Sequence, residues 1–479
     1  MRAVLTIAAA EWRCWQRSRM AMGAAALLAV LLLAITVLTA LRLQAEAAER
    51  AHHQGQAEAA FLGQPDRHPH RMVHYGHYVF RTPPPLALFD PGLDAVTGQS
   101  LFLEGHRQNT VMFAGSAASA YFGAFSSPSP AWVYQVLAPL LLVLLGHGAL
   151  VREREAGTLA PLLAQGLGGC TLLAGKALAL ATAVGVLLLP LAMAAGLAVA
   201  RGDSPSAAGA LLALYGTYLL MWTLLALAAS ALWRRRASVL VALASLWIAL
   251  TLVLPALAVS AAAATGDAKV GKIETDLAML TEVRRLGDGH NANDPAFARL
   301  RAELMAQHGV QRLEDLPFNL RGVVAEYSER KLTETLNAWA RRQQAGERRL
   351  ADRLARHGWF TPVVALAGAS RTVAGTDLHH HHRFLQEAEA LRYVFVQGLN
   401  RVHAQQLAYA DDIRRSSDPE AERRTRVAAA HWQLLDRFRF EPDAAAVRIA
   451  HAAPQGLMLL PWLVGLLAAL AVLGRRLQP

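Results

Sequence analysis

The chain has 479 residues, 54% of them hydrophobic and only 17% charged, with a mean hydropathy of +0.25. Soluble domains carry nearer a quarter charged residues, so this composition excludes a protein immersed in water along its whole length. The formal net charge of +11 does not mark a nucleic-acid binder: no reading module is present, and much of the excess flanks apolar runs, where basic residues set topology.

In chain order, residues 1–19 form a basic leader in which 10–17 reads as a short interfacial helix, with Trp12 and Trp15 three apart on one face and suited to headgroup level. Six apolar runs follow, at 20–43, 131–150, 172–200, 207–232, 239–261 and 456–473. Each is long enough to cross a hydrocarbon core of about 30 Å, and inside lipid each must be helical to satisfy its own backbone. Pro139, Pro190, Pro255 and Pro461 lie inside them as candidate kinks. Residues 1–47 share a basic start and a small-residue Ala45-Glu46-Ala47 site with signal peptides, but their apolar run exceeds the usual 7–15 residues, which favours a retained span.

Arginines set the orientation. Arg2, Arg13, Arg17 and Arg19 precede the first run, and Arg152 and Arg154 follow the second. Arg234–Arg236 separate the fourth from the fifth, and Arg475 and Arg476 follow the sixth. All fall on one side if both termini are cytoplasmic. The other side then holds two long segments, 44–130 and 262–455. The first is expected to mix helix and loop: 45–62 extends the first span as helix, and Pro83-Pro84-Pro85 and Phe89-Asp90-Pro91-Gly92 punctuate the rest. The second is patterned as helix. Phe384, Ala388, Leu391, Phe395, Leu399 and Val402 draw one apolar stripe, Leu332, Leu336 and Trp339 another within 323–357, and Asp418-Pro419-Glu420 is a helix start. The expected fold is an all-α polytopic membrane protein with six transmembrane helices and a large helical extracytoplasmic domain. Its parts are 1–19, 20–43, 44–130, 131–261, 262–455 and 456–479.

Several chemistries are missing. The nearest approach to a phosphate loop, Gly169 to Ala177, has one residue too many between its glycines and an alanine where magnesium needs a hydroxyl. No nucleophile–base arrangement stands out, so the chain is not expected to be an enzyme. Ion-coupled carriers place ionisable groups within their spans, and here only His147 and Lys176 lie near span ends. Cys14 and Cys170 both fall on the cytoplasmic side, where a bridge is not expected. Among the 18 histidines, His68, His70, His74 and His77 cluster and His379–His382 run consecutively. A consecutive run points around a helix rather than at one centre, and no familiar ligand set accompanies either group, so solvated histidines with no assigned metal site is the leading reading and zinc or copper binding the open alternative.

One stretch carries a positive signal. Residues 151–166 read as a short amphipathic helix: a charged turn Arg152-Glu153-Arg154-Glu155, then Gly157-Thr158, then Leu159, Leu162 and Leu163, ending at a glycine. This resembles the segment of type-2 ABC transporter permeases written roughly E-x-E-x-G-T-L-x-x-L-L, matched at Glu153, Glu155, Gly157, Thr158, Leu159, Leu162 and Leu163. The long insert before the last span resembles a little-characterised branch of that class. The residues reminiscent of it are Phe89-Asp90, Leu316-Pro317-Phe318-Asn319, Phe360-Thr361-Pro362, Ala374-Gly375-Thr376-Asp377 and His382-Arg383-Phe384. The resemblance implies a multi-pass inner-membrane permease subunit working with two copies of an ABC ATPase subunit and with a second permease copy or a sister permease. ATP and Mg would be bound by the ATPase, with no cofactor in this chain. Segment 151–166 would couple hydrolysis to export, or to mechanical action on a periplasmic partner. The alternative is a membrane-anchored extracytoplasmic binding or sensory protein without ATPase coupling.

Overall fold

The computed structural model describes residues 1–109, 128–264, 272–432 and 438–477. Expectations for 110–127 of the first long segment, for the start of the second at 265–271 and for the last two residues lie outside the described residues. The chain is an all-α polytopic membrane protein. The N-terminal helix, Arg2–Arg17, ends at Ser18, whose extended backbone turns the chain and whose hydroxyl accepts from Ala21 N to cap the next helix. That helix, Arg19–Leu62, has 44 residues, a length of roughly 66 Å at 1.5 Å per residue. It therefore crosses the bilayer and continues well beyond it, as the pattern over 45–62 implies.

Among the described residues, helices Arg19–Leu62, Pro130–Glu155, Gly169–Ala200, Pro205–Leu232 and Arg236–Ala264 are long and apolar enough to span a membrane. A sixth span is a pair, Ala445–Leu457 and Leu460–Arg476, bent by 42°. Its first half begins inside the stretch assigned from sequence to the large domain. The prolines explain the irregularities, because each removes a backbone donor and crowds the carbonyl four residues earlier. Ahead of Pro139 and around Pro255 the helices relax into wide turns, Val133–Leu137 and Ala249–Val253. The carbonyl four residues before Pro139, that of Gln135, accepts the Tyr218 hydroxyl at 2.7 Å instead. Pro190 and Pro461 divide their helices outright.

The fourth span is the axis of the bundle. Tyr215, Tyr218 and Trp222 are buried along it, within a core that also takes in Leu142 of the second span and Leu366 of the large domain. The first span instead leaves Leu27, Val30, Leu33, Leu38 and Leu41 exposed, as a lipid-facing helix should.

The large domain is built on two long helices, Leu320–Arg356 and Leu378–Gln406. They pack so closely that a Cβ on Gly322 would lie 2.3 Å from Ala404 N. The stripe read from sequence is buried at Phe384, Ala388, Phe395 and Leu399 and partly covered at Leu391 and Val402. Phe61, Met72, Val79, Leu101 and Leu103 join that core, so both long segments form one body. A third helix, Pro362–Ala374, docks on the fourth span and on Ala445–Leu457. One departure from an all-helical domain is an antiparallel pair, β1 (His77–Phe80) and β2 (Ser100–Leu103), in register His77 with Leu103 through Phe80 with Ser100. Each strand has four residues, too few for alternation to stand out from loop sequence.

Candidate functional site

The segment 151–166 folds as an elbow, not as one amphipathic helix. A turn of helix, Val151–Glu155, is followed by a second, Leu159–Ala164. Between them Gly157 adopts φ +71°, a left-handed conformation that breaks the ladder and suits glycine. Thr158 closes the bend by donating N–H to Glu153 O at 2.9 Å and its hydroxyl to Glu153 Oε2 at 2.7 Å.

The charged turn faces inward. Glu153 Oε1 lies 3.4 Å from Lys176 Nζ and 3.5 Å from Arg152 Nη2. Both cations converge on Glu11 of the N-terminal helix: Lys176 Nζ at 2.5 Å and Arg152 Nη2 at 2.7 Å. Arg152 also donates to Cys14 Sγ at 2.8 Å. Glu11 and Lys176 are 3% and 2% exposed, so these two charges are compensated by one another and by Arg152 rather than by solvent. Arg154 donates to the carbonyls of Ala231 and Trp233 at 3.0 and 2.6 Å, closing the end of the fourth span. Glu155 accepts from Arg236 N at 2.7 Å at the start of the fifth. Ser230 Oγ receives the N–H groups of Leu150 and Val151.

The elbow is thus bonded to the N-terminal helix and to three spans besides the one it continues. Leu163 is buried beneath its second helix and Leu159 and Leu162 are half-buried, while Gly157, Thr158, Ala160, Pro161 and Ala164 face outward. Sequence reading placed Glu11 and Cys14 in an interfacial helix and Lys176 at a span end, without joining them. An acidic residue beside Trp12 on an otherwise apolar face was the available signal. The tryptophans do not sit free at headgroup level either. Trp15 is buried and donates to Leu145 O at 3.2 Å, and Trp12 donates to Thr182 Oγ1 at 2.8 Å. The span ends that carry these arginines lie together here, since Arg154 donates to Trp233 O, Arg236 N donates to Glu155 and Gly474 packs on Cys170.

At the opposite end a buried chain of hydrogen bonds joins the spans to the large domain. Gln135 Nε2 donates to Tyr215 Oη at 2.9 Å, Tyr215 Oη meets Ser370 Oγ at 3.0 Å, and Ser370 donates to Asp90 Oδ2 at 2.5 Å. Burial pushes the Asp90 carboxyl up from its ordinary range. Thr376 donates to Asp90 O at 3.0 Å, so Phe89-Asp90 and Ala374-Gly375-Thr376-Asp377, far apart in sequence, form one junction. Beside it Arg448 Nη2 pairs with Asp203 at 2.5 Å and Arg448 Nη1 donates to Val373 O at 2.7 Å.

The histidines are not simply solvated. In the run, His379 and His380 both approach Asp443, at 2.9 and 3.6 Å, His380 also pairs with Asp377 and His382 with Glu347, so the four rings do not aim at one common centre. His70, His74, His106 and His290 do converge, as do His68, His403 and Asp412 and, with one member from the run, His379, Asp443 and His451; all three groups have ligand chemistry. In the second, Asp412 is already engaged by Asn319, Arg321 and Arg415, which makes it a buried ion cluster rather than a cation site.

Residues 5–291 match the family described as ABC-2 family transporter protein, more than half of the chain. The chain belongs to that family. Residues 272–441 match a second family, described as Domain of unknown function (DUF3526), which covers most of the large domain. No curated protein matches the chain. As an ABC-2 membrane subunit it is a non-catalytic, multi-pass transmembrane protein of a class that associates with ABC ATPases. The elbow lies within the ABC-2 match, whereas the Tyr215–Ser370 bond links it to the DUF3526 region.

Proposed function

We propose that this chain is the inner-membrane permease half of an ABC exporter or mechanotransmitter, with both termini cytoplasmic and the elbow as its coupling element. It pairs with a second copy or a sister permease and with two ATPase subunits that bind ATP and Mg. Closure of the ATPase pair pushes the elbow, and the large domain acts on a periplasmic partner or caps the pathway. The observation that carries this reading is the Glu11–Lys176–Arg152–Glu153 cluster, which makes the elbow a rigid attachment to several spans. A free loop would dissipate a push, whereas a bonded elbow transmits a rigid-body motion.

The geometry also selects the test. Glu155 is bonded to Arg236, so changing it perturbs the fifth span as well as any docking surface. Ala160 and Ala164 are exposed and bear no such bond. Wild type purified from its host should bring down an ATPase identified by Walker-motif peptides, and Ala160→Arg or Ala164→Arg should release it while the permease stays folded. An ATPase retained equally by both variants refutes the docking assignment. Absence of any ATPase from wild type refutes the transporter reading and favours the membrane-anchored binding protein.

A further inference from the structure

We propose that His70, His74, His106 and His290 form a closed four-imidazole site for Zn2+ that clamps the first long segment to the large domain. His70 and His74 stand one turn apart on the helix Pro69–Tyr75, so both rings leave the same face. His106 follows β2, and His290 belongs to the loop after the helix Lys272–Arg284. One ligand atom from each of the four lies within 4.8 Å of those of the others.

The short distances are those of a coordination sphere. His74 Nε2 is 3.2 Å from His70 Nε2 and 3.1 Å from His290 Nε2. Zinc–nitrogen bonds of about 2.0–2.1 Å in a tetrahedron place neighbouring nitrogens roughly 3.3 Å apart. Hydrogen bonding does not account for the arrangement equally well. One imidazole nitrogen either carries a proton or offers a lone pair, so His74 Nε2 cannot serve two such neighbours well at once. His106 Nε2 is buried with no hydrogen-bond partner. A cation at the centre satisfies all of these lone pairs together.

The rings are also held from behind. His106 Nδ1 meets Glu329 at 2.8 Å, and that carboxylate is itself fixed by Arg392 at 2.6 Å. His290 Nδ1 meets Asp288 Oδ1 at 2.8 Å. A carboxylate behind the ring assigns the proton to Nδ1 and turns Nε2 toward the metal, the usual outer shell of a metal-bound histidine. The backbone is shaped for it too. Among the described residues His106 is the one non-glycine with a left-handed backbone, φ +64°. Gly105 before it lies so close to Val73 that a Cβ would be 2.1 Å from that side chain. Strain of this kind persists where the surroundings enforce it. Four protein ligands leave no open position, which marks a structural rather than a catalytic centre.

The test uses the full chain in detergent, stripped with a chelator and titrated with ZnCl2. The expected result is about one tightly held zinc per chain, a thermal midpoint that rises with zinc, and, with Co2+ in its place, the intense visible absorption of a tetrahedral centre. His74→Ala and His106→Ala should abolish all three, while His379→Ala should keep them. Asp288→Asn, an exposed position, should fold normally and weaken zinc affinity about tenfold. Sub-stoichiometric or readily dialysed zinc in wild type overturns the proposal, as does full binding by His106→Ala. Retention of Cu2+ but not Zn2+ overturns the choice of metal.

Discussion

The contact between Lys176 and Glu11 offers a sharp test of the elbow, because the two residues are 2% and 3% exposed and 2.5 Å apart. Removing one member of a buried pair leaves an uncompensated charge, typically a loss of about 3–5 kcal/mol. The surroundings order the two single changes. After Lys176→Met, Glu11 keeps Arg152 at 2.7 Å, so the loss falls near the lower bound. After Glu11→Leu, Lys176 and Arg152 share only Glu153, at 3.4 and 3.5 Å, and the loss is the larger. Replacing both with apolar groups, Glu11→Leu with Lys176→Met, removes the buried charge along with its partner. Its cost should therefore be less than the sum of the single changes by about 1–3 kcal/mol. Reversible unfolding in mixed micelles, run on the wild type, both singles and the double, gives the coupling energy directly. Single changes that each cost under about 1 kcal/mol, or a double variant that equals the sum of its parts, would refute the claim that these charges lock the N-terminal helix to the third span and so anchor the elbow between them.

Burial pushes His381 down to about 4, with the Arg81 and His382 charges adding to the effect and Glu347 opposing it. The folded state thus binds its proton less readily than the unfolded chain, whose histidines titrate near 6.5, and stability is lost as pH falls from about 6.5 to 4. From this residue the loss at pH 5 is about 2 kcal/mol, and thermal unfolding of His381→Leu at pH 7 and pH 5 should show a correspondingly smaller pH dependence than wild type. Gly322→Ala should destabilise the large domain by about 1–3 kcal/mol, because its Cβ would sit 2.3 Å from Ala404 N. Gly398→Ala, on the facing helix with nothing within 4 Å, should instead gain about 0.5–1 kcal/mol, so equal unfolding midpoints for the two would contradict the packing described. Tyr215→Phe removes the hydroxyl between Gln135 and Ser370 and should cost about 1–3 kcal/mol, read as faster amide exchange in 362–374.

How much of this was legible follows from the range of each interaction. The spans were visible because lipid demands some twenty consecutive apolar residues, a purely local property, and the stripe from Phe384 to Val402 was visible because helical periodicity is local as well. The residue types of the elbow were legible, but its break was not, since Gly157 reads the same in a continuous helix as in a bend until its φ is known. Glu11 was missed because its partner Lys176 is 165 positions away. The four-histidine group divides between His74 and His290, which are 216 positions apart, so the sequence showed only half of it. The consecutive run His379–His382 looked the more suggestive, yet helical geometry divides its rings among Asp443, Asp377 and Glu347 and aims the four at no common centre.

The fourth span connects these local features into one device. Near its elbow end Ser230 accepts two backbone donors from the start of the elbow, and Arg154 grips the carbonyls of Ala231 and Trp233. Further along, Tyr215 bonds to Ser370 on the helix Pro362–Ala374 that the DUF3526 region lays across the bundle. From Tyr215 to Ser230 is fifteen residues of unbroken helix, roughly 22 Å at 1.5 Å per residue. The second, third, fifth and sixth spans are each interrupted at a proline, but Pro205 stands at the first turn of the fourth, where it costs no hydrogen bond. The bundle therefore holds a straight central strut among helices that, apart from the unbroken, lipid-facing first span, carry ready-made hinges. A displacement imposed on the elbow would pass along the strut with little loss, while the bent sixth span, tied at Arg448 to Asp203, supplies the joint about which the large domain could turn. Under the proposed reading, what the ABC-2 region receives at one end is delivered at the other to a domain whose two segments are clamped together, so that it moves as a single body.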